Sequence, residues 1–501
     1  MCVQGGCSMP AKTPERAALL PELLENLGIP DIPKVAVKGL STDSRELKKG
    51  YVFVALNGNT VNGRDFVEQA RKARVSAILM DADDGLWGGD VADIPILLIP
   101  GLRCLLGRIA ARFYSEPCYG DEVIGVTGTN GKTSVVWLLA QALGAVGRKA
   151  ALVGTLGAGA YDHLYATGYT TPGPVELQAL LRCLHDNEFN AVCMEVSSHG
   201  LSQCRVNGVA FTGAVFTNLS RDHLDYHGNM ENYAAVKGRL FAFEGLSFAV
   251  INRDDAYAQR MRDQLAPEVR VIEFGAEEGD VHVLEQNSSE RGLDLLLQTP
   301  LGECHINTRL IGHFNVYNLL AVVATLVALD VAPAEIEKLA PELQPVPGRM
   351  EVFGQAPSSP LVIVDYAHTP DALKQVLMAA REHTEGELWC VFGCGGDRDR
   401  GKRPLMGKMA ELFADEVVIA DDNPRHEDPD LIVEDIVAGM KQKPVIIRDR
   451  AEAIEWAITQ AQSGDVVVIA GKGHETVQLV GDEALPFSDR EVVEKILGRA
   501  A

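Results

Sequence analysis

The chemistry in this chain is concentrated in Val123–Ser134, Val-Ile-Gly-Val-Thr-Gly-Thr-Asn-Gly-Lys-Thr-Ser. An apolar, strand-like run meets a glycine-rich turn, and a helix-like stretch, Val135–Gly144, follows. That order describes a seat for nucleotide phosphates. Gly128 and Gly131 let the backbone approach an anion with no Cβ in the way, and Thr129 and Asn130 complete the turn between them. Successive backbone N–H groups and the helix N-terminus supply partial positive charge. Lys132 has the reach for β- and γ-phosphates, and Thr133 or Ser134 offers a hydroxyl to Mg²⁺. A generic P-loop puts a glycine at position 126, where this chain has Val126, so the loop is a variant.

Further polar clusters follow other apolar runs. Glu195-Val-Ser-Ser-His199 and Asn218-Leu-Ser-Arg-Asp-His-Leu-Asp-Tyr-His-Gly228 lie downstream of the phosphate loop. Glu195 and His223 are each read as ending a strand. A carboxylate and an imidazole there suit Mg²⁺ bound at phosphate oxygens, or the orientation of an acceptor. They suit a helix cap and a loop hydrogen bond equally well. Lys237, in Asn232-Tyr-Ala-Ala-Val-Lys-Gly-Arg239, reads by pattern alone as a solvated helix lysine. Nearer the C-terminus, Arg398 and Arg425 are suited to gripping carboxylates. Asp422 and Glu475 can receive an ammonium, and the two charges together describe a zwitterionic amino acid. Turn residues with surface ion pairs are the other reading, since Asn423-Pro424 and Gly395-Gly396 are ordinary turn chemistry.

These residues need elements to hold them. A chain of 501 residues exceeds one hydrophobic core, so two to four domains are expected. Met1–Glu15 reads as disordered and Leu19–Leu27 as a short helix. Strand-like Tyr51–Leu56, Ser76–Met80 and Ile94–Ile99 then form a small α/β domain, 1–101. Leu102–Tyr114 leads as a helix into a central domain, 102–346, with strands at Ala150–Val153, Ala191–Val196, Gly213–Thr217 and Phe248–Asn252, an antiparallel annex over 281–311 and a helix at Asn315–Ala328. Apolar strands alternating with helices predict a mostly parallel sheet covered on both faces, with ligands beyond the carboxyl ends of its strands. Pro341–Gly348 reads as a linker. A third α/β pattern over 347–501 has strands at Leu361–Asp365, Leu388–Phe392, Glu416–Ala420, Pro444–Arg448 and Asp465–Ala470.

Composition narrows the class. Apolar content of 47% with 23% charged residues is that of a soluble globular protein. A net charge of −23 argues against wrapping nucleic acid or binding an anionic membrane surface. No signal peptide and no bilayer-length apolar run are read. The ten cysteines lack metal-finger spacing, and Cys193 and Cys390 lie in apolar runs; they read as reduced residues of a cytoplasmic protein, taken as a monomer.

Several long motifs in order give a closer reading. Gly125-Val-Thr-Gly-Thr-Asn-Gly-Lys-Thr133 resembles the nucleotide loop of the Mur ligases, including Val126. Glu195–Leu201, Thr217–Gly228, Gly312-His-Phe-Asn-Val-Tyr-Asn318, Pro347-Gly-Arg-Met-Glu351 and Asp365-Tyr-Ala-His-Thr-Pro-Asp371 match the same family. The resemblance is to the branch that adds the third residue of the peptidoglycan stem peptide. It implies three domains, ATP and Mg²⁺, and an acyl-phosphate route to an amide between UDP-N-acetylmuramoyl-L-alanyl-D-glutamate and an amino acid.

The resemblance also assigns residues. Thr42, Ser44, Asn59, Thr60 and Val61 would meet the UDP end, and Thr170, Thr171, Ser197, Gln203 and Arg205 the muramoyl-dipeptide. Thr133, Glu195, His223 and Lys237 match metal-site positions, with Lys237 carbamylated, which reverses its reading as a solvated lysine. Asn315 and Asn318 match the adenine side, and Arg349 and Asp365 nucleotide-facing positions. Asp422-Asn423-Pro424-Arg425 matches the motif of enzymes using meso-diaminopimelate, with Arg398, Gly471 and Glu475 completing that site. An enzyme using L-lysine should lack Arg425, because an unpaired buried guanidinium is costly. Tyr169 departs from the Asn found in some relatives. A folylpolyglutamate synthetase-like ligase and a nucleotide-binding protein without ligase activity are the rival readings.

Overall fold

The computed structural model describes residues 17–58, 62–84, 93–118, 120–289, 292–354 and 359–500. The expectation of disorder over Met1–Glu15, and the UDP-end residues Asn59, Thr60 and Val61, lie outside them. The fold is α/β throughout, and the chain forms two compact units, Met1–Val281 with Ala321–Val331, and His282–Leu320 with Ala332–Ala501.

The first unit contains a short antiparallel pair, Ala18–Leu19 with Ala36–Val37, and two larger sheets. Gly39–Ser41, Tyr51–Ala55, Ala77–Asp81 and Ile96–Ile99 pair in that order, all parallel. The larger sheet is built around Glu122–Thr127, flanked in parallel by Ala191–Glu195 on one side and Gly213–Phe216 on the other. Ala150–Gly154 extends it beyond Ala191–Glu195, and Phe248–Asn252 and Arg270–Gly275 extend it beyond Gly213–Phe216. The central strands are buried over their whole length, which is why they read as unbroken apolar runs rather than alternating ones. With Glu122–Thr127 in the middle of the order, the loop that follows it opens between the carboxyl ends of two neighbouring strands.

The helix Leu102–Phe113 packs unusually closely on the segment after Gln203. A Cβ on Gly107 would stand 1.4 Å from the Asn207 carbonyl oxygen, so only glycine fits there. Asn207 Nδ2 donates to the Cys104 carbonyl at 3.1 Å. This approach brings the Cα atoms of Cys104 and Cys204 to 5.0 Å, and the two cysteines form a disulfide. The expectation of reduced cysteines holds for Cys193 and Cys390, which are free and buried, but not for this pair.

The second unit contains an antiparallel meander, Val281–Ser289, Gly292–Thr299 and Gly302–Thr308, where the sequence suggests an annex. Its main sheet runs in the order Glu351–Phe353, Leu361–Asp365, Val466–Ala470, Leu388–Phe392, Glu416–Ile419, Val445–Ile446, parallel except for the first pair. Three of the helices that follow these strands are capped by side chains. Thr369 accepts from Ala372 N, Asp428 from Asp430 N and Asp449 from Glu452 N. Buried Ile363, Cys390 and Val468 join one apolar layer and Val362, Val391 and Val467 another, so both faces of the sheet are covered.

Candidate active site

The phosphate loop is held from below by the neighbouring strand end. Thr217 Oγ1 donates to Asn130 O at 2.6 Å, Asn130 N donates to Asn218 Oδ1 at 2.9 Å, and Thr129 N donates to Asn218 O at 2.8 Å. A Cβ on Gly128 would meet Thr217 Oγ1 at 1.9 Å, so this close support requires a glycine. Gly131 forms the N-cap of the helix Lys132–Ala145, which begins earlier than Val135. Lys132 folds back over the loop, its Nζ donating to the carbonyls of Gly128 at 2.8 Å and Thr129 at 2.9 Å. Ser134 follows on the first turn, half-buried.

Glu195 is the last residue of its strand, and its carboxylate is almost fully buried. Thr133 Oγ1 donates to Glu195 Oε2 at 3.0 Å, and Thr155 N donates to Oε1 at 2.8 Å. Thr155 Oγ1 in turn lies 3.0 Å from Thr170 Oγ1. Thr155 was not singled out from sequence, although it follows the strand Ala150–Gly154 and the strand-end rule covers it.

Lys237 is 1% exposed, the reverse of the solvated lysine that its pattern suggests. Its Nζ donates to Gly128 O at 2.7 Å and lies 4.7 Å over the Tyr233 ring. Burial, reinforced by the neighbouring charge of Lys132, holds its ammonium well below the ordinary lysine range. Tyr233, another residue missed in the sequence, links this lysine to the loop through a 3.3 Å contact between its hydroxyl and Thr129 Oγ1. His223 does not end a strand. It lies in the loop beyond Gly213–Phe216 at a left-handed φ of 52°, half-exposed beside Asp222 and with its ring 5.0 Å from that of His199. The segment needs several residues after its strand to reach the start of Leu224–His227, which the apolar pattern does not mark.

The predicted muramoyl-dipeptide residues cluster. Thr171 Oγ1 donates to Glu195 O at 2.9 Å and accepts from Ser197 N at 3.1 Å. Arg205 donates to Thr171 O at 2.8 Å and to Gln203 Oε1 at 2.7 Å and 3.0 Å. Tyr169, 64% exposed, lies under the Arg205 guanidinium, 5.5 Å away. Thr42 and Ser44 sit at the Ser44–Glu46 turn, which Asp43 caps.

In the second unit, Asn315 Nδ2 donates to Ile311 O and Asn318 Nδ2 donates to Asn315 Oδ1 at 2.9 Å, so the two asparagines form one buried pair. Asp365 accepts from Met350 N at 2.8 Å and Ala367 N at 2.7 Å. Burial nevertheless raises its carboxyl to about 6. Arg349 precedes Met350, and its buried Nε has no hydrogen-bond partner among the described residues.

A cleft of about 470 Å³ opens where four parallel strands of this unit end, and Arg398, Asp422, Asn423, Arg425, Gly471 and Glu475 all line it. Pro424 stands between two of them without lining it. Tyr366, His368 and Thr369 line it from the end of Leu361–Asp365, and Lys402 reaches in beside His368, donating to its carbonyl at 2.8 Å. Arg425 is half-buried, held at a left-handed φ of 51°, and donates through Nη1 to Gly396 O at 2.9 Å. Arg398 is exposed. Glu475 is held below the ordinary carboxyl range: burial would raise it, but hydrogen bonds from Asn423 and Lys472 outweigh that.

Profiles of the Mur ligase family's catalytic domain, the Mur ligase middle domain and the Mur ligase glutamate ligase domain match residues 36–114, 126–326 and 348–473. The UDP-N-acetylmuramoyl-L-alanyl-D-glutamate--2,6-diaminopimelate ligase of Chromobacterium violaceum is 47% identical over 95% of this chain and 96% of its own. The chain belongs to the Mur ligase family. The ligase of the same name from Alkalilimnicola ehrlichii is also 47% identical, over 94% of this chain and 97% of its own. A solved Mur ligase structure with that name is 36% identical and superposes with a TM-score of 0.77, covering 97% of this chain and 99% of the other. As a Mur ligase, the chain carries its glycine loop in the segment matched by the middle-domain profile, and most of the residues lining the cleft in the segment matched by the glutamate ligase profile.

Proposed function

We propose that this Mur ligase joins meso-2,6-diaminopimelate to the D-glutamyl carboxylate of UDP-N-acetylmuramoyl-L-alanyl-D-glutamate at the expense of ATP. Residues 1–101 serve the UDP end, 102–346 the nucleotide and 347–501 the amino acid. The enzyme works as a cytoplasmic monomer, where ATP and nucleotide-linked precursors are made; no described helix is long and apolar enough to cross a membrane. The observation that carries the reading is the charge pattern of the cleft. Arg398, Arg425, Asp422 and Glu475 line it; the two guanidiniums suit a ligand's carboxylates and the two carboxylates its ammonium groups. L-Lysine would leave Arg425 without a carboxylate, which is why the diaminopimelate reading is favoured over it.

A carboxylate carbon is a poor electrophile, so it must be activated before an amine can attack. The D-glutamyl carboxylate oxygen takes the γ-phosphoryl group of ATP, and ADP leaves. The amine of diaminopimelate then adds to the acyl carbon, the tetrahedral intermediate expels phosphate, and the new amide sheds a proton. Lys132, anchored on the loop carbonyls, offsets negative charge on the phosphoryl group. Thr170, Thr171, Ser197, Gln203 and Arg205 orient the dipeptide beside the buried Glu195.

The paired hydroxyl of Thr133 and carboxylate of Glu195 are hard oxygen donors that fit Mg²⁺. His223 joins the set by the motif resemblance alone. Mg²⁺ held by these residues would supply positive charge against the phosphates. Lys237 fits carbamylation. Burial shifts its ammonium towards the neutral amine, the form that adds to CO₂, and the product is a carbamate anion plus a proton. That change would turn a buried amine into a carboxylate-like group able to join the metal ligands.

The test is phosphate release by the purified chain, with each substrate omitted in turn. Release is expected only with ATP, UDP-N-acetylmuramoyl-L-alanyl-D-glutamate and meso-diaminopimelate together. Equal turnover with L-lysine would remove the specificity, and release without any amino acid would remove the ligase.

A further inference from the structure

Lys472 lies between two residues assigned to the amino acid, yet nothing in the mechanism above uses it. Its side chain is fully buried, and a buried ammonium is tolerated only when its donors are satisfied. All three are. Nζ donates to Asn423 Oδ1 at 3.1 Å, to Glu475 Oε2 at 3.0 Å and to the Val477 carbonyl at 2.7 Å. Asn423 closes the triangle, with Nδ2 donating to the same Glu475 Oε2 at 2.9 Å and Oδ1 also accepting from Leu479 N at 2.9 Å. One carboxylate oxygen of Glu475 therefore takes two donors, and Oε1 takes none among the described residues. Glu475 lines the cleft, and Lys472 does not.

Resting on the proposed amino-acid site, we propose that Lys472 is a positioning residue for diaminopimelate. It anchors Glu475 through Oε2, so that Oε1 is the oxygen offered to an ammonium of the ligand. It also holds Asn423 by its carbonyl, which makes the Asn423 side chain chiefly a strut for Glu475. The strand end supports this arrangement. Buried Arg450 pairs with Asp489 and donates to Ala470 O at 3.0 Å, fixing the chain one residue before Gly471. Without Lys472, Glu475 keeps only the Asn423 donor, so its side chain is less restrained and its charge less stabilised, and the ligand must order it on binding.

Lys472→Met keeps most of the aliphatic stem, ending one atom short, and removes the donors. Steady-state phosphate release is measured with each substrate varied in turn, for wild type, Lys472→Met, Glu475→Gln and the double variant, and folding is checked by thermal denaturation. KM for diaminopimelate is expected to rise about tenfold or more, the scale of one charged hydrogen bond, while KM for ATP and for the UDP substrate stays put. The double variant is expected to bind diaminopimelate no worse than Glu475→Gln alone, because Lys472 acts through that carboxylate. Unchanged KM values, a general rise in all three, or additive losses would overturn the role of Lys472 while leaving the ligase intact. A wild type that does not use diaminopimelate would instead overturn the function and this inference with it. If Lys472→Met does not fold, Lys472→Gln, which is neutral and too short to reach all three acceptors, takes its place with the same expected direction.

Discussion

Replacing Arg425 by Met probes amino-acid choice at the least structural cost. The backbone there does not depend on the guanidinium: Arg425 N donates to Leu479 O at 3.0 Å, and Gly481 N donates back to Arg425 O at 2.8 Å. The left-handed φ of 51° costs both residue types alike. The guanidinium uses Nη1 on Gly396 O, leaving its Nε and Nη2 edge without a partner among the described residues. That edge can grip a carboxylate through two parallel hydrogen bonds. Losing a charged grip of this kind in a half-buried site costs about 3 kcal/mol, or roughly a hundredfold in affinity. In phosphate-release assays with ATP and the UDP substrate saturating, kcat/KM for meso-diaminopimelate should fall about a hundredfold in Arg425→Met. Turnover of L-lysine, which has no distal carboxylate, should not fall. Equal losses for both amino acids, or none for diaminopimelate, would refute the pairing.

Other perturbations test other parts of the account. Intact mass should show a carbamate on Lys237, and Lys237→Ala should lose turnover and regain part of it with short carboxylic acids; full activity in Lys237→Ala would remove it from the mechanism. Gly128→Ala should weaken nucleotide binding measured by calorimetry, because the new Cβ would stand 1.9 Å from Thr217 Oγ1 and force the loop to move. Asp365 is raised by burial from 3.8 to about 6, so the folded state holds its proton more tightly than the unfolded one. The stability it contributes is present at low pH and is lost as pH rises from about 4 through about 6. Denaturant unfolding of wild type and Asp365→Asn from well below the lower value to well above the upper one should show wild type losing about 3 kcal/mol relative to the variant, and a pH-independent difference would exclude the shift.

Much of the site was legible because parallel strands announce themselves. Runs such as Leu361–Asp365 and Leu388–Phe392 are apolar on both faces, so their ends, and the polar residues beyond them, could be read directly. What could not be read depends on partners far along the chain. Lys237 reads as solvated because its hydrogen-bond acceptor, the Gly128 carbonyl, is 109 positions away. Cys104 and Cys204, separated by 100 residues, meet only because Gly107 lets a distant backbone carbonyl approach. His223 was placed at a strand end because turn length is not encoded in apolar periodicity. Nothing in the sequence pattern marks Lys472, because its partners, Asn423 and the backbone at Val477, come from different loops. The motif resemblance, by contrast, carried Asn423 and Glu475 into the right cleft without showing that one supports the other.

The central claim is that ATP activates the D-glutamyl carboxylate for attack by diaminopimelate. Its most direct test is oxygen transfer. UDP-N-acetylmuramoyl-L-alanyl-D-glutamate labelled with ¹⁸O in that carboxylate is turned over with ATP and meso-diaminopimelate, and the products are weighed by mass spectrometry. The account predicts a UDP-linked tripeptide and inorganic phosphate that carries one ¹⁸O atom from the carboxylate. Unlabelled phosphate, or ADP formed without the tripeptide, would contradict it.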